Sequence, residues 1–276
     1  MLPLTKSTLN PVRNRTTKFR LVDKDGVMVD PTAPWKLTQK AYKLSTYRYK
    51  MSVSEWRDLI DRAKCGDSEA EWGVADRYGD GCMDNEGKIL VRRSARRAAE
   101  WFRRAAEHGS SSAQNTLGVL LSNGDGVTKN VAEAVLWLRK AFRAGEAIAA
   151  HNLAITYREI GKLRMAVKWF QESADAGDDD ARIQLGIHYY WGKGVRKNSK
   201  AAVRCFRQAI RGKNLSGYGR DDAFYCLGLG YLEGAGVKRS MRVAVKLFEQ
   251  ANVDGDHPAA RKMLRILETR ARGIRH

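Results

Sequence analysis

The chain has 276 residues and a formal charge of +19, with 50 Lys and Arg against 31 Asp and Glu. At 43% apolar and 29% charged residues it holds enough apolar mass for a packed core, and its five prolines exclude a proline-rich or collagen-like chain. No stretch approaches the roughly 18 continuous apolar residues of a membrane helix, and the four cysteines, Cys65, Cys82, Cys205 and Cys226, form neither a CxxC pair nor a disulfide framework.

Residues 1–50 form a basic N-terminal extension with 11 cations and three acids. Its first 22 residues have no acid, a composition shared with transit peptides, but Pro3 and Pro11 interrupt any amphipathic helix there. No secretory apolar core is present, so reduced thiols and a cytoplasmic location are expected. Lys18–Val22 and Val27–Val29, separated by Asp23-Lys-Asp-Gly26, are expected to form a small hairpin, and Thr38–Lys50 a short helix.

From residue 51 to 276 the chain repeats itself. Each unit opens with Ala, an apolar anchor four residues later, then Gly or Ala. The run Ala113-Gln-Asn-Thr-Leu117-Gly118 shows the pattern, and Val74, Leu153, Leu185 and Leu227 are the other anchors. Steps of four place these residues on one helix face. A glycine turn follows, as in Gly124-Asp-Gly126-Val127 and Gly192-Lys-Gly194-Val195. A second helix then reads Ala134-Val-Leu-Trp137-Leu138 or Ala202-Val-Arg-Cys205-Phe206 and stops near a glycine. Five such units are expected at about 68–109, 110–145, 146–177, 178–212 and 220–255, with half-units at 53–66 and 256–273. The anchors lie 43, 36, 32 and 42 residues apart because the loops differ: Cys82–Arg93 lengthens the first unit, and Gly161 alone makes the third turn. Gly118, Gly186 and Gly228 are expected to let neighbouring helices approach, with Trp101, Trp137, Trp169, Phe206 and Phe248 filling the space between helix pairs.

The Ala-x3-Leu-Gly-x2-Tyr first helix, the Gly-x-Gly-Val-x-Lys-Asn turn at 124–130 and 192–198, and the Ala-x2-Trp/x-Phe second helix resemble the Sel-1-like repeat family, relatives of tetratricopeptide repeats. The resemblance covers roughly residues 53–270. It implies an all-α fold, a right-handed α/α superhelical solenoid of helical hairpins. It also implies a non-enzymatic adaptor or scaffold that holds a partner protein or peptide in its concave groove.

First-helix positions two before and five after each anchor are expected to line that groove. They include Trp72, Asn115, His151, Arg158, Ile183, Tyr190, Tyr225 and Leu232, a set with aromatics suited to an extended peptide or a helix. Two basic runs give a second candidate surface: Lys88 with Arg92, Arg93, Arg96, Arg97, Arg103 and Arg104, and Lys193–Lys213 with Lys197, Lys200 and Arg204. Such runs favour an acidic partner, or unspecific contact with nucleic acid or another polyanion, and equally suit a solvated helix face. The five histidines occupy unrelated repeat positions, and HExxH, Walker and GxSxG patterns are missing, so neither an enzyme nor a cofactor or metal site is expected. The acids Asp84 and Glu86 lack EF-hand spacing and are expected in a solvated loop.

Overall fold

A computed structural model describes residues 49–213 and 215–273. The expected hairpin at 18–29 lies outside them. So does the expected helix at 38–50, except Tyr49–Lys50, which form a strand.

The fold is an all-α helical-repeat solenoid, and the chain divides into two compact units, Leu44–Gly219 and one that contains Arg220–His276. In the larger unit β1 (Tyr49–Lys50) leads to α1 (Val53–Lys64) and α2 (Ser68–Asp80). Next come β2 (Cys82–Met83), β3 (Ile89–Val91), α3 (Ala95–Glu107) and α4 (Ser111–Asn123). Then α5 (Val131–Arg143), α6 (Ile148–Glu159), α7 (Leu163–Asp175), α8 (Asp179–Trp191) and α9 (Ser199–Arg211) alternate as first and second helices of hairpins. The smaller unit holds most of α10 (Gly217–Glu233), with α11 (Met241–Gln250) and α12 (Pro258–Gly273).

The hairpin ends have a repeated chemical cause. Gly66, Gly109, Gly145 and Gly177 each terminate a second helix with φ between +87° and +100°. Their amides donate to Ala63, Ala106, Phe142 and Ala174, and the next amides reach five residues back to Arg62, Ala105, Ala141 and Ser173. That pair of bonds satisfies two otherwise orphaned carbonyls at each end. The following residue then caps the next first helix: Asp67, Ser110 and Asp178 side chains accept from the amides of Ala70, Ala113 and Ala181. Second helices are capped by Ser94, Asn130, Asn198 and Ser240 in the same way. The third hairpin, with its shorter turn, has no side-chain cap on either helix.

Within a hairpin the repeat glycine is the contact point. A Cβ at Gly118 would lie 2.5 Å from Leu138, one at Gly186 2.6 Å from Phe206, and one at Gly228 2.7 Å from Phe248. Leu138, Phe170, Phe206 and Phe248 are fully buried. This places Phe206 and Phe248 inside a hairpin rather than between hairpins; Trp101, Trp137 and Trp169 take the positions between hairpins. They lie one residue earlier, about 100° round the helix, and stay half-buried against neighbouring hairpins, as in the edge-to-face pair of Trp169 with Phe142 at 5.3 Å.

Between hairpins, the second turn glycine seats on the preceding repeat. A Cβ at Gly194 would lie 2.5 Å from the backbone of Leu163, the first residue of α7, and Gly126 meets Ala95 of α3 likewise. Core clusters therefore bridge neighbours. One joins Leu138, Leu153, Phe170, Leu185 and Cys205, another Phe102, Leu117 and Leu121 with Ala75.

The long loop of the first unit is not simply solvated. β2 and β3 form an antiparallel hairpin, β1 joins β2 in parallel, and Cys82 is fully buried. Asp84 holds the tight turn, accepting from the amides of Glu86 and Lys88 through one oxygen.

Candidate functional site

In the larger unit the first helices α4, α6 and α8 carry a ladder of polar side chains from one hairpin to the next. Asn152 donates to Asn115 at 2.8 Å, Ser122 and Thr156 pair at 3.3 Å, and Arg158 donates to Gln184 at 2.8 Å. Asn115, His151 and Arg158 are half-buried, as is Trp72 on α2. The Trp72 indole N–H has no hydrogen-bond partner among the described residues, and its ring meets Phe102 edge-on at 6.4 Å.

The other expected groove residues are core. Ile183 and Tyr190 are 1% and 3% exposed in the larger unit, and Tyr225 and Leu232 are 4% and 5% exposed in the smaller one. The seven-residue spacing places positions on a helix face correctly. Burial, however, follows chemistry within that face: apolar occupants collapse onto neighbours while Asn, His and Arg keep water on one side. Tyr225 stacks on Phe248 and His257 at 5.7 and 5.1 Å, and burial pushes its hydroxyl pKa well up.

The described histidines each have a structural partner. His151 Nδ1–H donates to Asp178 at 2.6 Å, and the Ser173 hydroxyl donates to the same carboxylate at 2.8 Å. Burial alone would raise the Asp178 pKa; the His151 hydrogen bond, the Ala181 amide, the His151 charge and the Ser173 hydroxyl outweigh it and hold it at about 2. His188 donates to the Lys193 carbonyl at 2.7 Å. His257 Nδ1 accepts from the Ala260 amide, capping α12, and its Nε2 faces Asp222 at 3.2 Å. His108 meets Glu71, a fully buried carboxylate that also faces Arg104 at 3.0 Å.

Glu71 was not singled out from the sequence, though its register marks it. The residue after the repeat Ala reaches back to a second-helix carbonyl: Gln114 donates to Ala106 and Arg182 to Ala174. Glu71 has no donor for Ala63, so Arg104 supplies one from α3 while Glu71 holds it.

The two basic runs separate sharply. In the first, Arg93 donates to the Asp80 carbonyl, Arg96 pairs with Glu100 and Arg103 with Glu133. The hydrogen bond from Arg103 keeps the Glu133 carboxyl ionised below its ordinary range. Arg97 lies over Tyr78 and Arg104 over Trp101, which leaves Arg92 simply exposed. In the second run Lys197 lies over Tyr190, while Lys200 and Arg204 project from α9 with no ion-pair partner among the described residues. Among those residues, no group of three or more His, Cys, Asp or Glu side chains is placed to hold a metal ion. No helix there is long and apolar enough to cross a membrane.

Hairpins closed at a small repeat residue, most of them capped by side chains, with turn glycines Gly126 and Gly194 seated on the preceding repeat, define an α/α helical-repeat protein. The Sel1 repeat profile matches residues 68–110, 111–146, 147–178, 179–214 and 223–252, so the chain belongs to the Sel1 repeat family. A protective antigen of uropathogenic Escherichia coli with an SLR fold, known by crystal structure, is similar at a TM-score of 0.64 and 28% identity, covering 77% of this chain and 44% of that one. A Sel1 repeat protein from Oxalobacter formigenes is similar at a TM-score of 0.56 and 26% identity, covering 72% and 75%. The DAP3-binding cell death enhancer 1 of Rattus norvegicus is 27% identical over 152 residues, 41% of this chain and 30% of that one. An uncharacterised protein of Neisseria meningitidis serogroup B is 33% identical over 102 residues. The matches span 30% and 22% of these two curated relatives.

Proposed function

We propose that the chain is a non-enzymatic protein-interaction scaffold that takes a partner protein or peptide along the first-helix row of its larger unit. The polar ladder from Asn115 to Gln184 carries this reading. The apolar clusters are complete without these side chains, and hydrogen bonding has already fixed their rotamers, so a partner would order them at little further entropic cost.

Histidine chemistry supports the non-enzymatic half of the reading. Ser173 donates to Asp178 rather than to His151, so no histidine activates its hydroxyl in the order nucleophile–base–carboxylate. Membership in a repeat family whose curated relative is named for binding another protein points the same way.

The test is a double variant, Asn115→Ala with Arg158→Ala, compared with wild type in affinity purification from cells. Partner recovery is expected to fall about tenfold, the effect of losing roughly 1.4 kcal/mol of binding, with the melting temperature nearly unchanged. Full recovery by a folded variant overturns the reading.

A further inference from the structure

The outer face of α9 is exposed and strongly basic. Its inner side buries Ala201, Ala202, Val203, Cys205, Phe206 and Ala209. Its exposed residues are Lys200, Arg204, Arg207, Gln208 and Arg211, and the helix contains no acid. At 3.6 residues per turn the four cations fall within an arc of about 60° and run about 16 Å along the axis. Exposed Arg196 precedes the stripe and exposed Lys213 follows it. No carboxylate among the described residues pairs with Lys200, Arg204 or Arg211, in contrast to α3, whose arginines are occupied by Glu100, Glu133 and Glu71.

Like charges at i and i+4, as Lys200 and Arg204 are, repel one another and destabilise a helix, and Arg211 adds a third cation on the same face. An anion laid along the stripe relieves that repulsion. Two kinds of polyanion differ in how much they gain. Exposed carboxylates give about 0–1 kcal/mol per pair, so four pairs reach roughly millimolar affinity at best. The face offers no exposed apolar or aromatic residue to anchor a protein more firmly. A nucleic-acid duplex instead releases condensed counterions for every phosphate neutralised, a gain that needs only cations in a row. Single strands bind by stacking bases on aromatic side chains, and this face has none. RNA duplexes are told from DNA through 2′-hydroxyls, and Gln208 is the one uncharged polar side chain exposed on the helix.

We propose that the outer face of α9 docks the phosphate backbone of duplex DNA without reading its sequence. This surface is separate from the first-helix ladder and does not depend on the scaffold reading.

The experiment uses the full chain and a labelled mixed-sequence DNA duplex of about 20 base pairs, followed by fluorescence anisotropy between about 50 and 200 mM salt. The triple variant Lys200→Glu, Arg204→Glu, Arg211→Glu is set beside Arg92→Glu, Arg96→Glu, Arg97→Glu, which makes the same charge change on the other basic run. Far-UV circular dichroism and melting confirm that both fold. The α9 variant is expected to bind at least about tenfold more weakly, with a log–log salt slope shallower by about 3. The control should lose less than about threefold, because Arg96 already pairs with Glu100 and Arg97 lies over Tyr78, leaving Arg92 as its one exposed cation without such a contact. Four results overturn the proposal: no binding by the full chain at the lowest salt, equal losses in the two variants, displacement of DNA by polyglutamate as readily as by unlabelled DNA of equal charge, or clearly tighter binding of an RNA duplex.

Discussion

Phe170 shows how much single side chains decide in this protein. It is fully buried, and His151, His188 and Arg158 all lie around its ring, at 5.8, 5.6 and 5.8 Å. His188 is only 4% exposed, and its Nδ1 must carry the proton because the Lys193 carbonyl can only accept. Burial lowers the His188 pKa; the hydrogen bond to Lys193 opposes that, and the charges of Arg158 and Lys193 reinforce it. The unfolded imidazole, near its ordinary value of about 6.5, therefore takes up a proton first as pH falls. His188 contributes stability above that value and loses it as pH drops toward the depressed folded pKa. Between pH 7 and 5, wild type should lose about 2–4 °C more in melting temperature than His188→Gln, the scale of roughly 1 kcal/mol in a chain of this size. The variant should start lower at pH 7. Parallel melting curves across the window would show that the buried imidazole carries no such linkage.

At the scale of elements, the turn between the two helices of a hairpin does two jobs with two glycines. Gly192 ends α8 in the left-handed region at φ +70°, and Gly194, at φ +71°, lets the turn touch the backbone of Leu163. The contrast with Gly161 separates the two causes. It also has positive φ, +74°, but a Cβ there would meet nothing within 4 Å. Gly161→Ala should cost about 1–2 kcal/mol from the left-handed backbone alone. Gly194→Ala adds a backbone clash and should cost about 1–3 kcal/mol more. Urea midpoints of the two variants check this, and equal shifts would mean that the turn yields without disturbing α7. Gly192 and Gly194 were legible in the sequence because Gly124 and Gly126 stand at the same offsets from their anchor, and so were the anchors Leu117 and Leu185. The polar ladder was only partly legible: Asn115 and Arg158 fell on the expected face, but the partners Asn152 and Gln184 each sit one residue before an anchor, a register apart from the two-before and five-after positions expected to line the groove. Ile183 and Tyr190 were misplaced because a period of seven gives a direction, not the depth to which an apolar side chain sinks. The β2–β3 hairpin escaped notice because two- and three-residue strands are too short for alternation to register.

At the scale of the whole molecule, the larger unit has no single centre. Each core cluster is made by hairpins adjacent in sequence: Ala63, Ala70 and Val74 at α1–α2, then Phe102 and Leu117, then Leu153, Phe170 and Leu185. Stability in such an array is close to a sum of hairpin terms and nearest-neighbour terms, so damage should stay local. Gly186→Val is a suitable lesion, because its branched side chain would drive into Phe206, a ring at 0% exposure with nowhere to move. Amide hydrogen exchange should rise by about one to two orders of magnitude in α8 and α9 and, through the seat of Gly194 on Leu163, in α7, as a loss of about 1–3 kcal/mol implies. Protection in α2 and α3 should stay near wild type, since none of their side chains belongs to or packs against the cluster that surrounds Leu185, whereas α4 reaches it through Val119. A uniform rise from α2 through α9 would instead mean that the unit opens only as a whole. In that case coupling through the turns, from Gly126 on Ala95 to Gly194 on Leu163, is stronger than the hairpins' own stability.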